Sequence, residues 1–232
     1  MNSELGWTGK PGESDDLRLL RQRLVPFVAT VGEQKELIEE ADKLARKWLV
    51  DRSAISPDMA GQVLRTAARF GNRDLFDRMH ETAVKEKDRQ RRQRLIVALG
   101  AFRDPKIAQA GLQLLLSKEF DPREGFFALL FGGLGNPETR ELPFQFLKQN
   151  IDRLLELLPR EVGEDYAANF PFAGAAFCDA SHRADVEAFF QDRVKNYSGG
   201  PRNLAQVLEG IDLCIAERKA LGPELAAFLN AR

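Results

Sequence analysis

The sequence predicts an all-α fold, an array of stacked antiparallel helix pairs. Three observations carry this. Apolar residues recur at helical spacing along almost the whole chain, and no stretch shows the alternation of a half-buried strand. The stretch Arg91–Lys118, RRQRLIVALGAFRDPKIAQAGLQLLLSK, reads as a helix, a tight break at Arg103-Asp104-Pro105, and a second helix. The same pattern then returns twice downstream.

The repeat is anchored at Asp104, Asn136 and Asp179, separated by 32 and then 43 residues. Phe102, Leu134 and Phe177 stand two positions before the anchors, and the small residues Gly100-Ala101, Gly132-Gly133 and Ala175-Ala176 just before them. Leu114-Leu115, Phe146-Leu147 and Phe189-Phe190 follow at a fixed distance. Asp or Asn at the anchor can accept hydrogen bonds from the free amides of the next helix's first turn. Proline follows in two copies, where its missing N–H costs nothing. The small residues let one helix end approach its neighbour. Helix pairs at such intervals indicate a solenoid, in which no single pair can bury its own apolar face. The changing interval makes the array irregular.

Taken in order, Ser14, Asp15 and Asp16 cap a first helix with Leu17, Leu20, Leu24 and Phe27 on one side, kinked at Pro26 and stopped at Gly32. A second, from about Glu33 to Val50, carries the stripe Leu37, Ala41, Leu44, Ala45 and Trp48. Ser56-Pro57 opens a third, to Phe70, with Met59, Val63, Leu64 and Ala67 inward. The fourth, from about Arg73 to Lys87, offers Leu75, Phe76, Met79 and Ala83. Asp121-Pro122 opens a helix to about Gly133 that is apolar nearly all round, so it should lie buried. Pro137–Leu158 continues the pattern, with a kink expected at Pro143. Between 159 and 180 short helices are expected at Val162–Ala168 and Phe172–Phe177. Helices at about 183–197 and 202–219 close the array, and Gly222-Pro223 precedes a last short one ending near Asn230.

With 44% hydrophobic and 30% charged residues, the 232-residue chain has a globular and not a disordered composition. A net charge of −1 gives no overall steering toward nucleic acid or anionic lipid. No apolar run is long enough to span a bilayer. Cys178 and Cys214 stand among small or apolar neighbours and read as buried thiols, which suits a reducing, cytoplasmic setting. Residues 1–13 read as a linker remnant, and 14–232 as a single helical-repeat domain.

Residues able to carry chemistry are sparse. The two histidines, His80 and His182, lack a partner at metal-ligand spacing and read as surface residues. Cys178 and His182 stand four apart, where a thiolate–imidazole pair is conceivable; a small apolar core residue is the simpler reading of Cys178. The glycines of FGGLGNP fall at helix-end positions of the repeat, which explains them without a ligand. The charge run from Lys85 to Arg94 is the best candidate for a polyanion site, yet no aromatic residues interleave with it. A solvated helix start whose basic residues find acidic neighbours explains it more simply.

Six segments, in order, carry a resemblance: LGW at residue 5, LRLLRQRLVPFVATVG, ISPDMAGQVLRTAARFGNRDLF, ALGAFRDP, LGNPETRELPFQFLKQNIDRL and FCDASHRADVEAFF. Together they resemble the C-terminal helical domain of zinc-dependent aminopeptidases of the aminopeptidase N, puromycin-sensitive and endoplasmic-reticulum type. The resemblance implies a superhelical array of HEAT/armadillo-like antiparallel helix pairs. It implies a lid and substrate chamber facing a catalytic domain of the same polypeptide, which would hold the zinc through HExxH and the substrate amine through GxMEN. Neither motif occurs in this chain, so the domain alone is expected to be inactive on peptides. Relatives often carry a Gln-Asp pair after the position of Phe120; here the residues are Arg123-Glu124-Gly125, which makes Arg123 and Glu124 the substrate-chamber candidates. Where the family has a tryptophan-rich AWxFLxxNW segment, this chain has PFQFLKQNI, with Phe144 and Ile151 as apolar replacements. Leu5 and Trp7 are expected to pack poorly without the rest of such an enzyme. The rival expectation is a free-standing helical scaffold that binds a protein or peptide.

Overall fold

A computed structural model describes residues 5–161 and 164–231. Its described residues form an all-α structure divided into two compact units, Met1–Gly133 and Leu134–Arg232. The first holds α1 (Asp15–Thr30), α2 (Lys35–Trp48), α3 (Pro57–Arg69), α4 (Arg73–Lys85), α5 (Arg89–Leu99), α6 (Pro105–Gln113) and α7 (Pro122–Phe131). The second holds α8 (Leu142–Leu157), α9 (Ala180–Phe190) and α10 (Gly200–Asn230), with a 3-10 segment at Tyr166–Gly174.

Short polar side chains begin most helices of the first unit. Ser14 accepts from the Leu17 amide, Asn72 from Leu75, Asp88 from Arg91 at 2.8 Å, Asp104 from Lys106 and Ile107, and Asp121 from Arg123. Each satisfies a donor that the helix itself leaves without a partner. Asp179 does the same for α9, accepting from His182 at 3.0 Å. Two of the three repeat anchors therefore cap as expected. Asn136 does not: it is buried within turns, its Oδ1 has no partner, and α8 begins only at Leu142. Pro143 consequently falls in the first turn of α8, where it produces no kink because no intrahelical N–H is lost there.

In the first unit α1, α3, α5 and α7 pack side by side in chain order, with α2 also against α3 and α4 also against α5. The inward stripes of α3 and α4 are buried as expected, and Phe76 meets Phe102 edge-to-face at 5.4 Å. The repeat's small residues meet each other. A Cβ at Gly100 would overlap the Ala128 carbonyl, and one at Gly132 would overlap the Gly100 carbonyl. α7 is less enclosed than its composition suggests: Phe126, Leu129 and Leu130 are buried, but Phe127 is 53% exposed.

α1 buries Arg21, Val25 and Ala29, so its expected apolar side lies elsewhere, with Leu17, Leu20 and Phe27 exposed. Arg21 pairs with Glu13 and donates to the Gly6 carbonyl, tying the preceding segment to the helix. Trp7 corrects the expectation of poor packing: it is 1% exposed, and its Nε1 donates to the Leu37 carbonyl at 2.8 Å. A buried indole needs a partner for its N–H, and α2 supplies one within the chain.

In the second unit Phe144 packs against Phe177, Phe189 and Phe190 at 5.7–5.9 Å. Phe144 and Ile151 are both buried. Three expectations are corrected here. A two-residue antiparallel ladder, Arg160–Glu161 with Glu164–Asp165, precedes the 3-10 segment where two short helices were expected; Val162 and Gly163 lie outside the described residues. α10 runs unbroken through Gly222-Pro223, because a carbonyl freed by proline on an exposed helix is solvated by water. Cys178 and Cys214 are not thiols but a disulfide, with half-buried cysteines whose Cα atoms lie 5.3 Å apart. Their sequence separation of 36 hid this pairing: α10 returns past the start of α9 and brings them together. The bond also removes the conceivable Cys178–His182 pair.

Two expectations follow. Gly100→Ala should cost about 1–3 kcal/mol in urea denaturation, because the overlapping neighbour is backbone and cannot rotate away; Gly135→Ala, where a Cβ meets nothing, should be close to neutral by comparison. Replacing both cysteines by alanine should lower the unfolding free energy by about 2–4 kcal/mol, the usual range for a cross-link.

Candidate functional site

The exposed stripes of α3 and α5 bound a groove of about 390 Å³. Its position follows from helical phase. On α3 the apolar residues Val63, Leu64, Ala67 and Ala68 turn inward, which leaves Asp58, Gln62 and Arg65 on the open side. On α5, Leu95, Ile96, Ala98 and Leu99 turn inward and leave Gln93, Arg94 and Val97. The Arg94 side chain lies against α3 at Gly61, with Cγ 3.8 Å from where a Cβ would stand, an ordinary contact distance.

The electrostatics of the groove are uneven. Asp58 turns toward its own helix start and toward α1: a hydrogen bond from Ser56 holds its carboxyl below the ordinary range, and Gln22 donates to it at 3.3 Å. Among the described residues neither Arg65 nor Arg94 has a carboxylate within ion-pairing distance. The groove therefore offers two guanidinium forks and two side-chain amides. Such a set suits carboxylates and peptide carbonyls, since guanidinium donates in a planar pair and glutamine can donate or accept.

The sequence-derived candidates lie at the start of α7. Arg123 is exposed and turns back on the capping Asp121, donating from Nη2 at 2.6 Å. Glu124 is mostly covered and accepts from both Nε and Nη2 of Arg92 at 3.0 and 2.7 Å. That pair joins α5 to α7 and raises the Arg92 pKa, chiefly through the Glu124 hydrogen bond. Glu124 thus has a structural partner, while Arg123 stands on the same exposed stripe of α7 as Phe127.

The basic run divides the same way. Lys85 pairs with Glu81, Arg91 lies near Glu86 and Asp88, and Arg92 is taken by Glu124. Of the groove pair, Arg94 belongs to the charge run that ends at residue 94, and Arg65 stands on α3 apart from any such run. The signal that finds both is helical phase: each is the cation left outside when the apolar residues of its helix turn in.

Neither histidine stands in a reactive set. His80 Nε2 meets Glu119 at 3.0 Å beside Phe76 and Phe120. His182 Nδ1 meets Asp179 at 2.6 Å and stacks on Phe177 at 4.2 Å. Among the described residues no three His, Cys, Asp or Glu side chains are placed to hold a metal ion, and no helix is long and apolar enough to cross a membrane.

The chain belongs to the family described as the ERAP1-like C-terminal domain, whose model matches residues 1–213. It is similar to Aminopeptidase M1-C of Oryza sativa subsp. japonica, 27% identical over 219 residues that cover 90% of this chain and 23% of that protein. It is also similar to Aminopeptidase 2 of Candida albicans, 22% identical over 207 residues covering 89% of this chain and 22% of that protein. The chain therefore spans under a quarter of the length of these relatives.

Arg92→Ala and Glu124→Ala should each lower the denaturation midpoint, and the double variant should be less destabilised than the sum, the non-additivity expected of direct partners. The hydrogen bonds of Arg123 hold the Asp121 carboxyl below its ordinary 3.8. A folded-state pKa below the unfolded one gives stability that is present above that value and lost as pH falls below it. Asp121→Asn keeps a capping side chain. It should therefore melt below the parent protein near pH 7, with the gap closing progressively as melts are taken below pH 3.8.

Proposed function

We propose that this chain is the C-terminal domain of a zinc-dependent aminopeptidase and forms the lid and part of the substrate chamber over a catalytic domain of the same polypeptide. The observation that carries this reading is the α3–α5 groove, with Arg65 and Arg94 in no ion pair and only Asp88 acting on Arg94 electrostatically, in a chain whose relatives are aminopeptidases. A peptide held by its first residue at a distant centre would lay its later residues along this groove. There Arg65 and Arg94 meet carboxylates or carbonyls, and Gln62 and Gln93 hydrogen-bond its backbone. Arg123 and Phe127 extend the same contact on α7.

The bond-breaking chemistry belongs elsewhere in the polypeptide. Bound zinc would supply an activated water for attack on the first peptide bond, but no donor set for it stands among the described residues of this chain. The part of this domain is to restrict entry and orient the peptide.

A cytoplasmic location, expected from two separate thiols, would keep Cys178 and Cys214 reduced, whereas the bond itself suits an oxidising compartment. Thiol labelling of acid-quenched protein from cells would separate the two.

The test of function uses the natural longer polypeptide. It should hydrolyse an aminoacyl-fluorogenic substrate in the presence of zinc, and the 232-residue chain should not. Arg65→Ala with Arg94→Ala should raise KM for peptides several residues long and leave the short fluorogenic substrate unchanged. Equal effects on both substrates would remove the groove from the reading. Absence of peptidase activity in the longer polypeptide would favour a helical scaffold that binds peptides without cleaving them.

A further inference from the structure

The α3–α5 groove does not end at the start of α3. A cavity of about 730 Å³ lies there and shares Pro57 and Asp58 with the groove as lining. Lys10 and Arg18 line that cavity in turn, Arg18 beside Asp15 at 3.1 Å. The track so formed is poor in available carboxylates. Glu13 is taken by Arg21, and Asp58 is held by Ser56 and Gln22. Asp88 acts on Arg94 from the start of α5, but its carboxyl is committed to capping the helix through the Arg91 amide. The size of the groove sets how much of a peptide it can read. Asp58, Gln62 and Arg65 stand at i, i+4 and i+7 on one side of α3, a span of about 10 Å at 1.5 Å per residue. An extended peptide rises about 3.3 Å per residue, so about three of its residues lie in the groove at once.

We propose that the groove selects peptide substrates carrying an aspartate or glutamate side chain within such a window, downstream of the cleaved bond. The proposal rests on the reading of the chain as part of an aminopeptidase. Arg65 on α3 and Arg94 on α5 stand on opposite walls, so one carboxylate can be met from both sides. A lysine at the same place meets two like charges. Two features assign the carboxylate to a side chain rather than to the end of the peptide. The track runs on past Asp58 toward Lys10, so a longer chain can pass through it. Gln62 and Gln93 can each donate and accept, which suits a backbone that continues along the groove. The groove is open to water, so the preference is modest, about fivefold for each carboxylate, and it weakens as salt rises.

The test uses the natural longer polypeptide and peptides of one length and one N-terminal residue, in which a single Glu, Gln or Lys is walked along the later positions. At about three neighbouring positions kcat/KM should favour Glu over Gln by about fivefold and place Lys last. The preference should shrink as salt is added, and amidating the C-terminus of the peptide should leave it unchanged. Arg65→Glu with Arg94→Glu should reverse the order to Lys over Gln over Glu, a change of sign that lost stability does not produce. A flat profile overturns the proposal, as does a ranking that survives the double variant. A preference lost on amidation overturns it too and assigns the groove to the end of the peptide. Failure of the aminopeptidase reading shows separately, as no hydrolysis of any peptide in the series. In that event fluorescence anisotropy of the labelled Glu and Gln peptides on the 232-residue chain decides. Tighter binding of the Glu peptide upholds selection by the groove, and equal binding overturns it.

Discussion

The first unit depends on a contact between backbones. The end of α5 and the end of α7 approach so closely at Gly100 and Gly132 that neither position has room for a methyl group. Two helices that meet through glycine are fixed in both distance and offset, since no side chain can rotate to absorb an error. The offset sets what lies above it. Just over two turns before the contact, Arg92 on α5 comes level with Glu124 on α7, and the two close a pair with two hydrogen bonds. The same residues are the small positions of the internal repeat, so periodicity and packing have one cause.

Charge is distributed by the same logic. The chain is nearly neutral, and several of its arginines stand between or beside carboxylates: Arg46 between Asp42 and Asp74, Arg52 on Glu86, Arg183 between Asp212 and Glu187. Arg65 and Arg94 differ from these in lining one groove without an ion pair, although Asp88 still acts on Arg94 electrostatically. Exposed pairs contribute little to stability, so an unpaired Arg65 costs the fold little and remains available to a ligand.

Local chemistry was the legible part of the sequence. Ser14, Asp104, Asp121 and Asp179 each begin a helix because a short acceptor side chain followed by an apolar stripe has few other uses; Asn72 reads as a helix break and Asp88 as part of a charge run, and both prove to be caps as well. Helices α2, α3 and α4 follow from their spacing for the same reason. What failed to show was what depends on distance along the chain. Trp7 looked idle because its partner, the Leu37 carbonyl, is thirty residues away and carries no side-chain signal. Cys178 and Cys214 looked separate because only the return of α10 joins them. Asn136 resembled its fellow anchors in composition but sits in turns. The groove was half visible: Arg94 could be named but not distinguished from its paired neighbours until Glu124 was seen to take Arg92. The candidates Arg123 and Glu124 came from resemblance, and the structure gives them different surroundings: Arg123 is exposed and paired with the neighbouring Asp121, and Glu124 is mostly covered and paired across to Arg92 on α5.

α10 is one unbroken helix with two different environments. Its buried residues end at Ile211, and the remainder extends to Asn230 with Leu221, Leu225 and Phe228 exposed. A helix that is not held by packing opens from its free end, and the opening can travel inward only as far as the cross-linked Cys214, beside which Arg183 also holds Asp212. Amides beyond that point therefore open and close on the rapid schedule of a fraying end, and those before it only when the second unit itself gives way. One element of secondary structure carries two lifetimes, and a covalent bond marks the boundary between them.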